Sequence, residues 1–214
     1  MLMLQTEYGE FVTILTLNKT TDRPAGLLFA LRFFVSGKDI FMNQKTRFLA
    51  TAAMIAAMYV ALSWISQLLG LCSGAIQCRI SEALCVLPVF TFAAVPGVTV
   101  GCLITNLLFG SGNPFDILFG TLATLIGVLI AYAIRKLPYL ASIPTILSNA
   151  IIIPAVLILF FPEMNWSMYP LLFVQIGLGE VIACGVLGTL LVWYLDKHPK
   201  THRAFTGVVP DKKD

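Results

Sequence analysis

The sequence predicts an all-α membrane protein with six transmembrane helices, two of them short. Three observations carry that expectation. Hydrophobic residues make up 58% of the 214-residue chain and charged residues only 12%, against about 25% charged in an average soluble domain. Several apolar stretches reach the roughly 20 residues needed to cross a hydrocarbon layer about 30 Å thick. Basic residues lie near the ends of those stretches rather than in one patch, and a net charge of +3 implies no nucleic-acid partner.

Residues 1–41 mix short apolar pieces with Glu7, Glu10, Lys19, Asp22, Arg23, Arg32, Lys38 and Asp39. Their longest apolar run, AGLLFALRFFVSG, is interrupted by Arg32 and is too short to span. It has no basic region before it and no small-residue cleavage pattern after it, so a signal peptide fits poorly. Met42 opens MNQKTRF, a short basic start directly before the first strong span. The expected organisation is therefore a leader or over-long start over 1–41, a six-helix membrane domain over 42–200 and a cytoplasmic tail over 201–214.

The first span is expected from Phe48 to Leu71, which carries no charge. Ala83 to Gly110 is apolar again, but Pro88 and the Val95-Pro96-Gly97 break divide it. Each half is about 13 residues, short for a crossing at 1.5 Å per residue. Further spans are expected at Phe115–Ile134, Ile143–Phe161 and Tyr169–Leu195. Charge parity favours counting Ala83–Gly110 as two short helices. With a cytoplasmic N-terminus and six spans, Lys45, Arg47, Arg135, Lys136, Lys197, Lys200, Arg203, Lys212 and Lys213 all fall inside. Arg79, Glu82, Asp116 and Glu163 then fall outside, as the positive-inside rule expects. Five spans would split the basic 135–136 loop from the basic tail. Two short helices must be sheltered by protein or border a cavity. Trp64, Trp166, Tyr169 and Trp193, near span ends, suit an interfacial aromatic belt.

The five cysteines, Cys72, Cys78, Cys85, Cys102 and Cys184, contain no CxxC pair and are odd in number, so they are expected to be small membrane-buried residues. Both histidines, His198 and His202, lie in the tail. A membrane zinc site or a Ser-His hydrolase is therefore not expected, and neither a metal nor a cofactor is assigned.

In ATAAMIAAMYVAL, Ala53, Ala57 and Ala61 recur at spacing four, with Ala52 and Ala56 on the adjacent row. Such a strip lets another helix come close, either within the chain or from a separate membrane subunit.

Polar groups inside the spans are few, and a charge at the bilayer centre costs about 2.5 to 3.5 kcal/mol even on lenient scales. Glu180, within QIGLGEVIACG, is the deepest, and Gly177, Gly179 and Gly185 would permit close approach of a ligand or helix. Asn149 lies in the fifth span and Asn106 near the end of the third. Arg79, Glu82, Asn106 and Asp116 belong to the outer half and, with Glu180, could line an outward-facing pocket. Structural alternatives stand beside each. Arg79 and Glu82 could pair at a helix start with Ser81 as N-cap. Asn106 and Asn149 could bond between helices. Asp116, after Gly112-Asn113-Pro114, could cap the fourth span.

IQCRISEALCVLP at 76–88, the VPG turn, NPFDILFGTLATLIG, SNAIIIP and GLGE together resemble the QueT family, the substrate-binding S components of energy-coupling factor (ECF) transporters for queuosine precursors. The similarity covers roughly residues 42–197, and the first stretch, close to IQFRISEAL in the family, is its most specific part. Cys78 stands where an aromatic residue is expected, which weakens any case for stacking there. The resemblance implies a six-helix, S-component-like bundle in a bacterial cell membrane with both termini cytoplasmic. It would capture its ligand from outside and work with a transmembrane coupling subunit (the T component) and two cytoplasmic ATPases. In related S components an AxxxA motif in the first helix docks on the coupling subunit, and Ala53-xxx-Ala57 matches it. An S component is not itself an enzyme, and the chain contains no G-x-x-x-x-G-K-[ST] phosphate loop.

The implied ligands are 7-deazaguanines such as queuine and its aminomethyl precursor. Their guanine-like edge shows two adjacent N–H donors beside a carbonyl, and one carboxylate can accept both donors. Glu180 or Glu82 is expected to read that edge, with Asn149 or Asn106 facing the carbonyl or a ring nitrogen and the second carboxylate neutralising the ligand's amine. Arg79 is expected to orient Glu82 or close the loop. The alternatives are an S component for another vitamin or nucleobase and, less favoured, an intramembrane enzyme.

Overall fold

A computed structural model describes residues 44–72, 78–110, 113–161 and 163–198. Residues 1–43 and 199–214 lie outside the described residues, and with them the expected leader and tail. Helices make up the described fold, and no strand occurs among the described residues.

Helix α1, Gln44–Leu68, is 25 residues long, about 37 Å at 1.5 Å per residue. It ends where Gly70 adopts a φ of 70°. The amide of Leu71 then bonds Ser66 O at 3.0 Å and that of Gly70 bonds Gln67 O at 2.9 Å, the double closure of a Schellman cap that needs a residue free to enter the left-handed region.

Helix α2, Ile80–Val89, is wound as a 3-10 helix over its 10 residues, unusually long for that geometry. At about 2.0 Å per residue it spans roughly 20 Å, too little for a bilayer. Ser81 to Pro88 are all buried, the polar Ser81 and Glu82 together with the apolar remainder. The other five helices all pack against it. The anticipated shelter for a short helix is thus provided by the chain itself.

The turn that follows covers residues 90–93, and α3 runs Ala94–Phe109. The break therefore precedes Pro96 instead of falling at Val95-Pro96-Gly97. Pro96 sits in the first turn of α3, where its missing N–H breaks no helical bond. Gly97 and Gly101 bring α3 onto the α1 backbone: a Cβ at Gly97 would lie 2.7 Å from Ala52 O, and one at Gly101 2.7 Å from the Tyr59 Cβ. The buried row, Ala52 and Ala56, makes this contact, while Ala53, Ala57 and Ala61 are exposed.

Helix α4, Pro114–Ala133, is capped by Asn113, whose side chain accepts from Phe115 N. A proline at the first position suits this start. The cap is thus Asn113, and the Asp116 side chain lies outside what is described. After the 3-10 turn Pro138–Leu140, α5 runs Ser142–Phe160. The last helix, α6, extends over Trp166–Lys197. Its middle, Val181–Leu187, is π-helical and begins directly after Glu180.

Helices α1, α3, α4, α5 and α6 pack in succession around α2. Gln44–Leu68, Pro138–Phe160 and Trp166–Lys197 are long and apolar enough to cross a membrane, and Ile80–Val89, Ala94–Phe109 and Ile117–Ala133 are shorter apolar helices. The outer faces expose Leu68, Leu107, Leu108, Leu159 and Val186, while Glu82, Asn106, Asn149 and Glu180 are inside. That inversion is what a lipid solvent favours. Trp64, Trp166 and Trp193 are exposed near helix ends, as belt residues are. Cys85, Cys102 and Cys184 are buried as anticipated, but Cys72 and Cys78 are partly exposed.

Candidate functional site

The polar residues of the Arg79–Glu82 stretch go to separate partners. Arg79 ends the extended segment before α2 and donates from Nη1 to Asn106 Oδ1 on α3 at 2.7 Å. The Ile80 amide donates to Ser66 Oγ at 3.0 Å. Ser63 Oγ donates to Ser81 Oγ at 2.7 Å and accepts from Thr105 at 3.3 Å. Tyr59 donates to Glu82 Oε1, and the Cys85 thiol donates to Glu82 Oε2 at 3.0 Å. On α1, Tyr59, Ser63 and Ser66 fall at helical spacing, so one face of that helix receives the first three residues of α2.

This arrangement replaces the Arg79–Glu82 cap. The guanidinium bonds Asn106, and Ser81 sits inside the first turn, buried, with no side-chain cap bond at the start of α2. Asn106 is engaged at both ends, since its Nδ2 faces Thr121 Oγ1 at 3.4 Å and Cys102 Sγ at 3.5 Å. Glu82, 3% exposed, has both oxygens bonded.

A second polar group lies between α5 and α6. Asn149 Nδ2 donates to Glu180 Oε1 at 2.8 Å. The carboxylate only accepts, so the amide nitrogen is the end that faces it. Asn149 is 1% exposed and Glu180 9%. Among the described residues, three buried side-chain atoms have no hydrogen-bond partner: Thr145 Oγ1, Asn149 Oδ1 and Glu180 Oε2. Leaving a buried polar atom unpaired costs about 1–3 kcal/mol, so three in one helix pair mark a place built for something other than stability.

The two groups are electrostatically linked, since Glu180 senses the charges of Glu82 and Arg79. Partial burial and then the charge of Glu180 push the Cys78 thiol up. Gly177 and Gly185 stand at ordinary van der Waals spacing from Ala150 and Ile146, whereas a Cβ at Gly188 would lie 2.8 Å from Val86 Cγ1. The glycine that presses α6 onto α2 is Gly188.

Comparison with known proteins decides the family. The family model described as QueT transporter matches residues 49–197, more than half of the chain. The chain belongs to the QueT transporter family. A curated relative, the queuosine precursor transporter QueT of Lactococcus lactis subsp. cremoris (strain MG1363), is 38% identical over 84 residues. That alignment covers 39% of this chain and 48% of the relative, so the chain spans about half the length of the protein it matches. No solved structure matches.

In this QueT family chain, as a multi-pass membrane protein, the anticipated site residues separate into two sets. Arg79, Glu82 and Asn106 hold the α2 junction to α1 and α3, while Asn149 and Glu180 pair across α5 and α6. Tyr59, Ser63 and Thr145 were not anticipated as site residues. Thr145 had a usable signal, because it lies four residues before Asn149 and therefore on the same face of α5.

Proposed function

We propose that the protein is the substrate-binding S component of an ECF transporter and that it captures a queuosine precursor, a 7-deazaguanine such as queuine or its aminomethyl precursor. Family membership and the name of the Lactococcus lactis relative support the substrate class. The observation that carries the reading is the buried Asn149–Glu180 pair with an open oxygen on each residue.

On this reading Glu180 reads the base. Its Oε2 and Asn149 Oδ1 are acceptors, matched to the adjacent N–H donors of a guanine-type edge. In a dry surrounding, charge-assisted bonds of this kind are the strong ones. Glu82, engaged by Tyr59 and Cys85, positions α2 and adds negative potential that favours the ligand's cationic amine. Arg79 secures the loop through Asn106. The exposed row of Ala53, Ala57 and Ala61 is the docking face for the coupling subunit, and two cytoplasmic ATPases supply the energy. The protein sits in a bacterial cell membrane with both termini cytoplasmic, so that the loop before α2 faces the incoming ligand.

Binding of a labelled 7-deazaguanine to the purified protein, with uptake by cells that also carry the ATPase module, tests this. Glu180→Gln should weaken binding by about 10- to 100-fold, the worth of a hydrogen bond to a charged group. Wild-type binding and uptake by that variant would sink the assignment.

A further inference from the structure

We propose that the Thr145 hydroxyl is the specificity-determining third contact of the Asn149–Glu180 site, reading the acceptor beside the two donors of the ligand edge. The inference rests on the ligand class proposed above and adds to it a residue outside that assignment.

Thr145 departs from how the neighbouring threonines are satisfied. A threonine within a helix ordinarily bonds the carbonyl four residues back. Thr99, Thr121 and Thr124 do this, to Val95, Ile117 and Gly120 at 2.8, 2.7 and 3.2 Å. Thr145 is 0% exposed, and its hydroxyl has no partner. The Ser148 hydroxyl turns instead to the Thr145 backbone carbonyl at 3.1 Å, and the Cys184 thiol points to Ser142 O at 3.9 Å. The Ser148 hydroxyl is thus committed to the backbone, and the polar side chain left beside the Thr145 hydroxyl is the Cys184 thiol, whose sulfur is a weak acceptor.

Its position is also fixed. A Cβ on Gly127 of α4 would lie 2.6 Å from Thr145 Cα and 2.8 Å from Thr145 Oγ1, so α4 presses on this turn of α5. One turn along the same face is Asn149, whose partner Glu180 comes from α6. The three open atoms are complementary in kind. Glu180 Oε2 and Asn149 Oδ1 only accept, while a hydroxyl can donate. Two acceptors and a donor are the counterpart of an edge with two donors and one carbonyl. An analogue that cannot supply the acceptor leaves the hydroxyl unpaired, which is how a polar site discriminates.

The test compares 7-aminomethyl-7-deazaguanine with its 6-thio analogue, which keeps both N–H donors but offers sulfur, a weak acceptor, in place of the carbonyl. Binding is measured on the purified full chain for wild type, Thr145→Val, Thr145→Ser and Glu180→Gln, with thermal melting of each. Wild type should prefer the oxo ligand. Thr145→Val should lose about 5- to 10-fold for the oxo ligand and little for the thio analogue, and Thr145→Ser should restore the preference. Thr145→Val keeps the shape of the side chain and gives up at most a weak contact with the Cys184 sulfur, so its melting temperature should fall little. Unchanged oxo binding by Thr145→Val, with Glu180→Gln still impaired, would overturn the Thr145 role and leave the ligand reading intact. Equal weakening for both ligands would overturn it as well. Failure of wild type to bind either ligand would remove the underlying reading itself.

Discussion

Arg79 donates to Asn106 at 2.7 Å across the gap to α3, while Glu82, three residues along, accepts from Tyr59 on α1 and from Cys85. The two charges of the junction therefore serve different helices. An Arg79→Ala and Asn106→Ala double-mutant cycle should show coupling of about 1–3 kcal/mol in thermal or denaturant stability, the range for a hydrogen bond to a charged group and for contacting residues. Additive effects would mean that the bond contributes nothing.

Tyr59 lies at 0% exposure and donates to Glu82. Tyr59→Phe keeps the ring and removes the donor, so the cost should come from a buried carboxylate left short of a partner, about 1–3 kcal/mol. Differential scanning of the purified protein should show a lower melting temperature, with ligand affinity far less affected than in Glu180→Gln.

Gly97 faces the α1 backbone, with Ala52 O only 2.7 Å from where a Cβ would stand. A backbone atom cannot yield as a flexible side chain does, so Gly97→Ala should force α1 and α3 apart and destabilise by about 1–3 kcal/mol. Gly177→Ala, whose Cβ would find Ala150 at 3.6 Å, is the control and should be nearly neutral.

Ala57 is exposed on α1, one residue beyond the buried Ala56. If the exposed row is the docking face of the proposed coupling subunit, Ala57→Leu should leave melting temperature and ligand binding unchanged while reducing uptake and co-purification with the ATPase module. Full uptake would place the partner on another face.

The helices were legible because each is an apolar run bounded by charges or prolines. The spans starting near Phe48, Phe115, Ile143 and Tyr169 occur within a few residues of expectation. The α2–α3 turn was misplaced because Pro96 reads as a breaker, yet a proline in a first turn is tolerated. Of the two buried carboxylates Glu180 was visible, since no basic residue lies between Tyr169 and Leu195, whereas Glu82 was counted among the charges of an outer loop. Their partners were not visible, because Asn149 lies 31 residues away and only the packing of α5 on α6 joins them. The three-residue spacing of Arg79 and Glu82 misled for a local reason. Arg79 precedes the helix, with extended φ and ψ of −94° and 108°, so the two side chains do not share a helical face. Nothing in VIACGVL distinguishes a π-helical stretch from an α-helical one.

The encasement of α2 bears on biogenesis. A ten-residue segment is too short to be released into lipid alone, and its first amide and Glu82 bond Ser66 and Tyr59 of α1. Its polar groups therefore find their partners only where α1 is already in place beside it. The order in which the chain is threaded into the bilayer is thus constrained by its least lipid-exposed helix.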